Sequence, residues 1–287
     1  MLTEHRIRIG ARDILLLEGP AGWGECSPLP GYPCDPEAAR RAAEESATQG
    51  FPPRLRDRVP VNALVDTSEF EPDALSGYCA VKVKMRTPAD LTLVERVRAA
   101  VGPSVGLRVD VNAAWDVDTA IDVGARLARL GVELYEQPVA ALEDLALVRR
   151  ACTVPIAADE SIRGVDDVEL AARLGAVDVV VLKVQPLGGV RAALDVAAAA
   201  ERVGIAVLPT SMMETSVGLL AGLALGCALP DLPFLAGLAT ASAGRPDVSA
   251  DPLVASGGFL EWREIVPDPD LLARYGVAGP SSQVVST

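Results

Sequence analysis

The 287-residue chain is half hydrophobic and carries a net charge of −13, with 26 Lys and Arg against 39 Asp and Glu. That length and apolar content suffice for one large core, and the acidity argues against a nucleic-acid partner. No apolar run approaches the roughly 18 residues of a membrane span, and MLTEHRIRIGARD lacks the basic-then-apolar order of a secretory signal, so a cytoplasmic location is expected.

Residues 13–29, ILLLEGPAGWGECSPLP, read as two short strands around a glycine-rich turn. A helix follows over 35–50, with Asp35 as N-cap, Pro36 at its first position and Gly50 just past its end. FPPRLRDRVP (51–60) is a proline-rich connector. From there the pattern alternates: a short β-branched run, a turn, then an Ala/Leu/Arg-rich amphipathic stretch. Helices are predicted over 89–101, 117–130, 141–152, 165–175, 189–204 and 216–229. Seven or eight strands fit between about 60 and 238, which suits a parallel barrel of the α/β class better than a doubly wound sheet. Beyond about 240 the chain returns to short β-like pieces such as GGFLEW, then a polar tail, GPSSQVVST, expected to be disordered. The expected organisation is an α+β capping segment (1–58), a barrel (59–240) and a C-terminal segment (241–287) returning to the cap.

Five of the strand-like segments end in a charged residue: Lys84, Asp110, Glu136, Asp159 and Lys183, separated by 26, 26, 23 and 24 residues. That is the period of a β/α unit, and in a barrel the C-terminal strand ends converge on one mouth. Three carboxylates brought together there would repel and raise one another's pKa. A hard divalent cation relieves this, and an all-oxygen set with no Cys or His nearby favours Mg²⁺, with Mn²⁺ as the other choice. Lys82 and Lys84 lie two residues apart on one strand face and near a cation, which predicts lowered ammonium pKa values and a neutral amine. A metal facing amines suits abstraction of a proton α to a carboxylate. The single histidine, His5, lies far from these residues, which nearly excludes a His base or a His metal site. The cysteines at 26, 34, 79, 152 and 227 lack metal-site spacing and read as reduced structural thiols. No GxGxxG follows a strand, so no nucleotide cofactor is implied.

These residues resemble the enolase superfamily and, within it, the muconate-lactonising subgroup, marked by Lys-x-Lys on the second barrel strand and Lys on the sixth. The matching motifs are WGE (23–25), PVNA (60–63), KVK (82–84), DVN (110–112), EQP (136–138), DES (159–161), KVQPLGG (183–189) and GLAT (237–240). The resemblance implies a modified TIM barrel, (β/α)7β, under a small α+β cap built from N- and C-terminal segments. Within the subgroup the chain looks most like the dehydratases of menaquinone biosynthesis, which act on a small-molecule carboxylate. By that resemblance Asp110, Glu136 and Asp159 would bind Mg²⁺, Lys84 would move the proton, Lys183 would stabilise the enolate charge and Lys82 would assist. Asn112 and Glu160 would support the ligands, and Ser211, Met213 and Gly237 would hold substrate. The N-terminal cap is short for the superfamily, which predicts weaker exclusion of water.

An N-succinylamino acid racemase or dipeptide epimerase on the same scaffold is the competing reading, since Lys84 and Lys183 could act from opposite faces. FLAGLATASAG has no Asp-x-Asp pair of the kind dipeptide epimerases show on the eighth strand. A non-catalytic binding barrel is disfavoured because all five charged positions stand together.

Overall fold

The computed structural model describes residues 1–241 and 245–277. The tail 279–287 lies outside the described residues.

The first fifty residues form an antiparallel meander, β1 (Thr3–Ile9), β2 (Arg12–Gly19) and β3 (Gly22–Cys26), followed by α1 (Pro36–Gln49). The sequence reading expected two strands here, beginning at residue 13. β1 was missed because only Ile7 of TEHRIRI is buried, so its alternation carries almost no apolar signal. The helix follows its capping signals: the Asp35 carboxylate accepts from the Glu37 N–H at 3.1 Å and Pro36 opens the first turn. Its alanine face (Ala38, Ala39, Ala42, Ala43, Ala47) is buried; Leu17 with Ala43 and Ala47 forms a small core between helix and meander.

A three-residue strand, β4 (Arg58–Pro60), leads into seven parallel strands in sequential order. These are β5 (Ala63–Val65), β6 (Ala80–Lys84), β7 (Gly106–Asp110), β8 (Val132–Glu136), β9 (Ile156–Ala158), β10 (Val179–Leu182) and β11 (Ala206–Pro209). Residues 236 and 237 fill the eighth position: Ala236 bridges Val61 and Gly237 bridges Thr210, both in parallel sense. The sheet thus curls into a barrel, as expected of the (β/α)7β pattern.

The crossovers are α2 (Leu91–Val101), α3 (Val117–Arg129), α4 (Leu142–Ala151), α5 (Val165–Leu174), a single turn α6 (Val184–Leu187), α7 (Val190–Arg202) and α8 (Ser216–Ala228). α3 shows why they form: Ala120, Val123, Gly124 and Leu127 recur at helical spacing and are buried, while Asp116 caps the first turn and Arg126 and Arg129 close the last. α8 is apolar all round because it is buried on nearly every side. Inside the barrel, Leu134, Ala157, Val179, Val181 and Leu208 form the floor on one side. On the other side the buried Arg108 donates to Glu133 at 2.7 Å and to Asn62 at 3.2 Å, where a register shift between β7 and β8 brings Glu133 within reach.

The described C-terminal residues run back across the molecule. β12 (Phe259–Glu261) pairs antiparallel with β4, and α9 (Pro269–Tyr275) ends beside β1, where Val277 donates to the Arg6 carbonyl at 3.0 Å. No helix among the described residues is long and apolar enough to cross a membrane.

Candidate active site

Strand register brings the charged residues to one mouth. Lys84 lies opposite Asp110, and Asp110 opposite Glu136. Glu136 lies opposite Ala157, two residues before Asp159. Lys183 follows directly on β10. Asp110, Glu136 and Asp159 are all buried, as are Lys82 and Lys183, while Lys84 is partly open.

The ammonium groups stand between the carboxylates. Lys82 Nζ lies 2.7 Å from both Asp110 and Glu136, Lys84 Nζ 2.6 Å from Asp110, and Lys183 Nζ 2.5 Å from Asp159. This changes one expectation. Burial alone would pull a proton from Lys82, but Asp110 and Glu136 more than offset that and hold its ammonium above the ordinary lysine range. In contact with these two carboxylates, Lys82 is favoured as an ammonium. Lys183 is raised in the same way, burial being outweighed by Asp159.

The carboxylates divide. Burial favours neutral Asp110, yet Lys82 and Lys84 outweigh it and keep its carboxyl well below the usual range. Burial, reinforced by Asp110, pushes Glu136 up to about 8. Burial and Asp159 push Glu160 up to about 7.

Asn112 links two of these groups, accepting from Lys84 Nζ at 2.7 Å and donating to Glu160 at 2.9 Å. Of the residues expected to hold substrate, the Ser211 hydroxyl lies 2.9 Å from that of Thr240, and the Met213 carbonyl accepts from Arg12 at 2.7 Å. Gly237 lies so near Thr210 that an added Cβ would meet its methyl at 2.9 Å. All three line a cavity of about 900 Å³ that also exposes Lys82, Lys84, Lys183 and Glu160. The loop Leu29–Pro33 of the cap forms part of its wall, so the cap reaches the mouth.

Several residues at the mouth escaped the sequence reading. The Gln137 side-chain oxygen accepts from the Asp159 N–H at 2.6 Å and from the Ser161 hydroxyl at 3.1 Å. Tyr32 donates to Asp159 Oδ1 at 2.8 Å. Among the described residues, the non-glycine residues with positive φ, Asn112, Ala113, Gln137 and Met213, all follow barrel strands at this end, and such strain gathers at functional sites. Asn112 and Met213 were expected from the resemblance, the motifs EQP and DES contain Gln137 and Ser161, and Tyr32 and Ala113 gave no signal.

As the side chains stand, no three acidic, His or Cys side chains among the described residues are gathered around one metal-sized point, because ammonium groups separate them. The donor chemistry nevertheless fits a hard cation. Glu136 Oε2 and Glu160 Oε2 are buried without a hydrogen-bond partner, and a buried carboxylate oxygen left so is costly. All the candidate donors are oxygens.

A cap of strands and one helix over a parallel barrel, with lysines and acids at its mouth, defines the class. Residues 70–268 match the enolase C-terminal domain-like family and residues 3–47 the enolase N-terminal domain-like family, and the chain belongs to the enolase superfamily. Within it, the chain belongs to the o-succinylbenzoate synthase family of lyases. It is 47% identical over 281 residues to the o-succinylbenzoate synthase of Thermobifida fusca, covering 94% of this chain and 87% of the relative. It is 41% identical over 288 residues to that of Mycolicibacterium smegmatis, covering 96% and 87%. Among solved structures, muconate cycloisomerase from Pseudomonas fluorescens superposes with a TM-score of 0.83 at 24% identity, covering 96% of this chain and 98% of that one. This last likeness speaks for the fold alone.

Proposed function

We propose that the protein is a Mg²⁺-dependent dehydratase that converts 2-succinyl-6-hydroxy-2,4-cyclohexadiene-1-carboxylate to o-succinylbenzoate in menaquinone biosynthesis. The observation that carries this is the pairing of Lys84 with Asp110 and of Lys183 with Asp159 at one cavity, in a chain 47% identical to a relative of that name.

Asp110, Glu136 and Asp159 would hold the cation. When bound, it supplies Lewis-acid stabilisation of negative charge on the substrate carboxylate. Lys84, the most open of the three lysines, takes the proton α to that carboxylate. Its C–H pair becomes part of the ring system, the C–OH bond breaks, and the Lys84 ammonium returns the proton to the departing hydroxyl, which leaves as water. The ring becomes aromatic and no external oxidant or base is consumed. Lys183, whose ammonium form Asp159 favours over the cost of burial, faces the developing negative charge. Lys82, paired with Asp110 and Glu136, would assist Lys84 electrostatically or contact the substrate carboxylate.

A steady-state assay that follows loss of the cyclohexadiene chromophore tests the reading. Turnover that stops with EDTA and returns with Mg²⁺ is the expected result. Absence of turnover, with α-proton exchange of N-succinylamino acids in deuterated water, would replace it with racemisation.

A further inference from the structure

The loop between β3 and α1 is fixed at both ends and free to present one side chain at its tip. At its start, the Ser27 N–H donates to Gln185 Oε1 at 2.7 Å and the Ser27 carbonyl accepts from Arg12. At its end, Asp35 caps α1. Gly31, with φ of 84°, turns the chain at the tip, a conformation an L side chain resists. The next residue, Tyr32, reaches into the barrel mouth.

Tyr32 makes two different contacts there, to residues from two strands. Its hydroxyl donates to Asp159 Oδ1 at 2.8 Å, and Lys183 Nζ sits 4.1 Å from the centre of its ring. Asp159 and Lys183 are themselves paired through the other carboxylate oxygen, Oδ2. One side chain from the cap therefore restrains both partners of this ion pair. A hydrogen bond to one oxygen fixes the rotation of a carboxylate, and a ring face attracts an ammonium without taking its proton.

We propose that Tyr32 is a positioning residue of the active site: its hydroxyl sets the orientation of Asp159, and its ring holds the Lys183 ammonium toward the substrate. The inference rests on the roles given above to Asp159 and Lys183. Tyr32 touches neither the proton that moves nor the bond that breaks; it acts through these two residues.

The hydroxyl and the ring are separable. In the substrate-free full-length protein, titration with Mg²⁺ followed by calorimetry reads Asp159 without reference to turnover. Tyr32→Phe should weaken Mg²⁺ binding about tenfold, the low end of what loss of a hydrogen bond to a metal ligand does. Tyr32→Leu should weaken it as much and lower kcat at saturating Mg²⁺ a further three- to tenfold below Tyr32→Phe, because the ring face is gone. A loop anchor with no positioning role would lower the thermal midpoint and raise KM while leaving Mg²⁺ affinity alone. Wild-type Mg²⁺ affinity in Tyr32→Phe, with equal kcat in the two variants, overturns the proposal. Asp159→Asn separates the two levels. If it loses Mg²⁺ and Tyr32→Phe does not, the role of the Tyr32 hydroxyl alone falls. If it keeps wild-type affinity, the metal assignment falls and the Tyr32 proposal with it. Tyr32→Phe keeps the ring, and its circular dichroism and melting curve confirm that the loss is not one of folding.

Discussion

Glu25 joins the cap to the start of α8, and its removal should be measurable as stability. Its buried carboxylate receives the Ser27 and Thr215 hydroxyls, both at 2.5 Å, and the backbone N–H groups of Gly218 and Thr215 at 2.9 and 3.3 Å. The last two donors belong to the opening of α8, where helix N–H groups have no partner of their own. In Glu25→Ala the hydroxyls can turn elsewhere, but the two backbone donors stay buried. Each costs about 1–3 kcal/mol when left unsatisfied. Against this, the variant no longer buries a carboxylate, a burial that raises the Glu25 pKa despite the opposing pull of Arg12. The balance is a loss of about 3 kcal/mol. A chain of this size melts about 2 °C lower per kcal/mol, so differential scanning calorimetry should record a drop of about 6 °C. A drop of less than 2 °C would refute the idea that Glu25 satisfies α8.

Lys84→Ala should lower kcat by at least about 100-fold in the dehydration assay, since the same amine serves as base and then as acid; retention of a tenth of wild-type activity would remove Lys84 from that role. Stability in EDTA should fall as pH rises from about 5 to 8. Glu136 and Glu160 sit at about 8 and 7 in the folded state, above their unfolded values, so the folded protein binds more protons across this window and the unfolded state gains as pH rises. Urea midpoints at three pH values check this. A midpoint that rises over the window, or one unchanged by Glu136→Gln, would contradict it.

The part of the site that was legible in the sequence is the part governed by period. A charged residue at a strand end needs only the β/α repeat to be placed, and Lys84, Asp110, Glu136, Asp159 and Lys183 stand at one mouth. The crossover helices were equally plain, because α3 and its fellows bury residues at 3.6-residue spacing. What could not be read depends on contacts without period. That Lys82 falls between Asp110 and Glu136 follows from side-chain reach across β6, β7 and β8. Tyr32 sits in a loop whose course is set by Gln185, 158 residues away from Ser27. β1 pairs along its whole length yet buries one side chain, so its strand character comes from backbone partners.

The links between cap and barrel also set an order of events during synthesis. Arg12 waits for the carbonyls of Met212 and Met213, 200 and 201 residues later, and Glu25 for Thr215, 190 residues later. At about 5–20 residues per second, the ribosome takes some 10–40 s to deliver those partners. Through that interval the Arg12 and Glu25 side chains lack these barrel partners. The cap, although made early, is thus among the last parts of the chain to reach its final contacts.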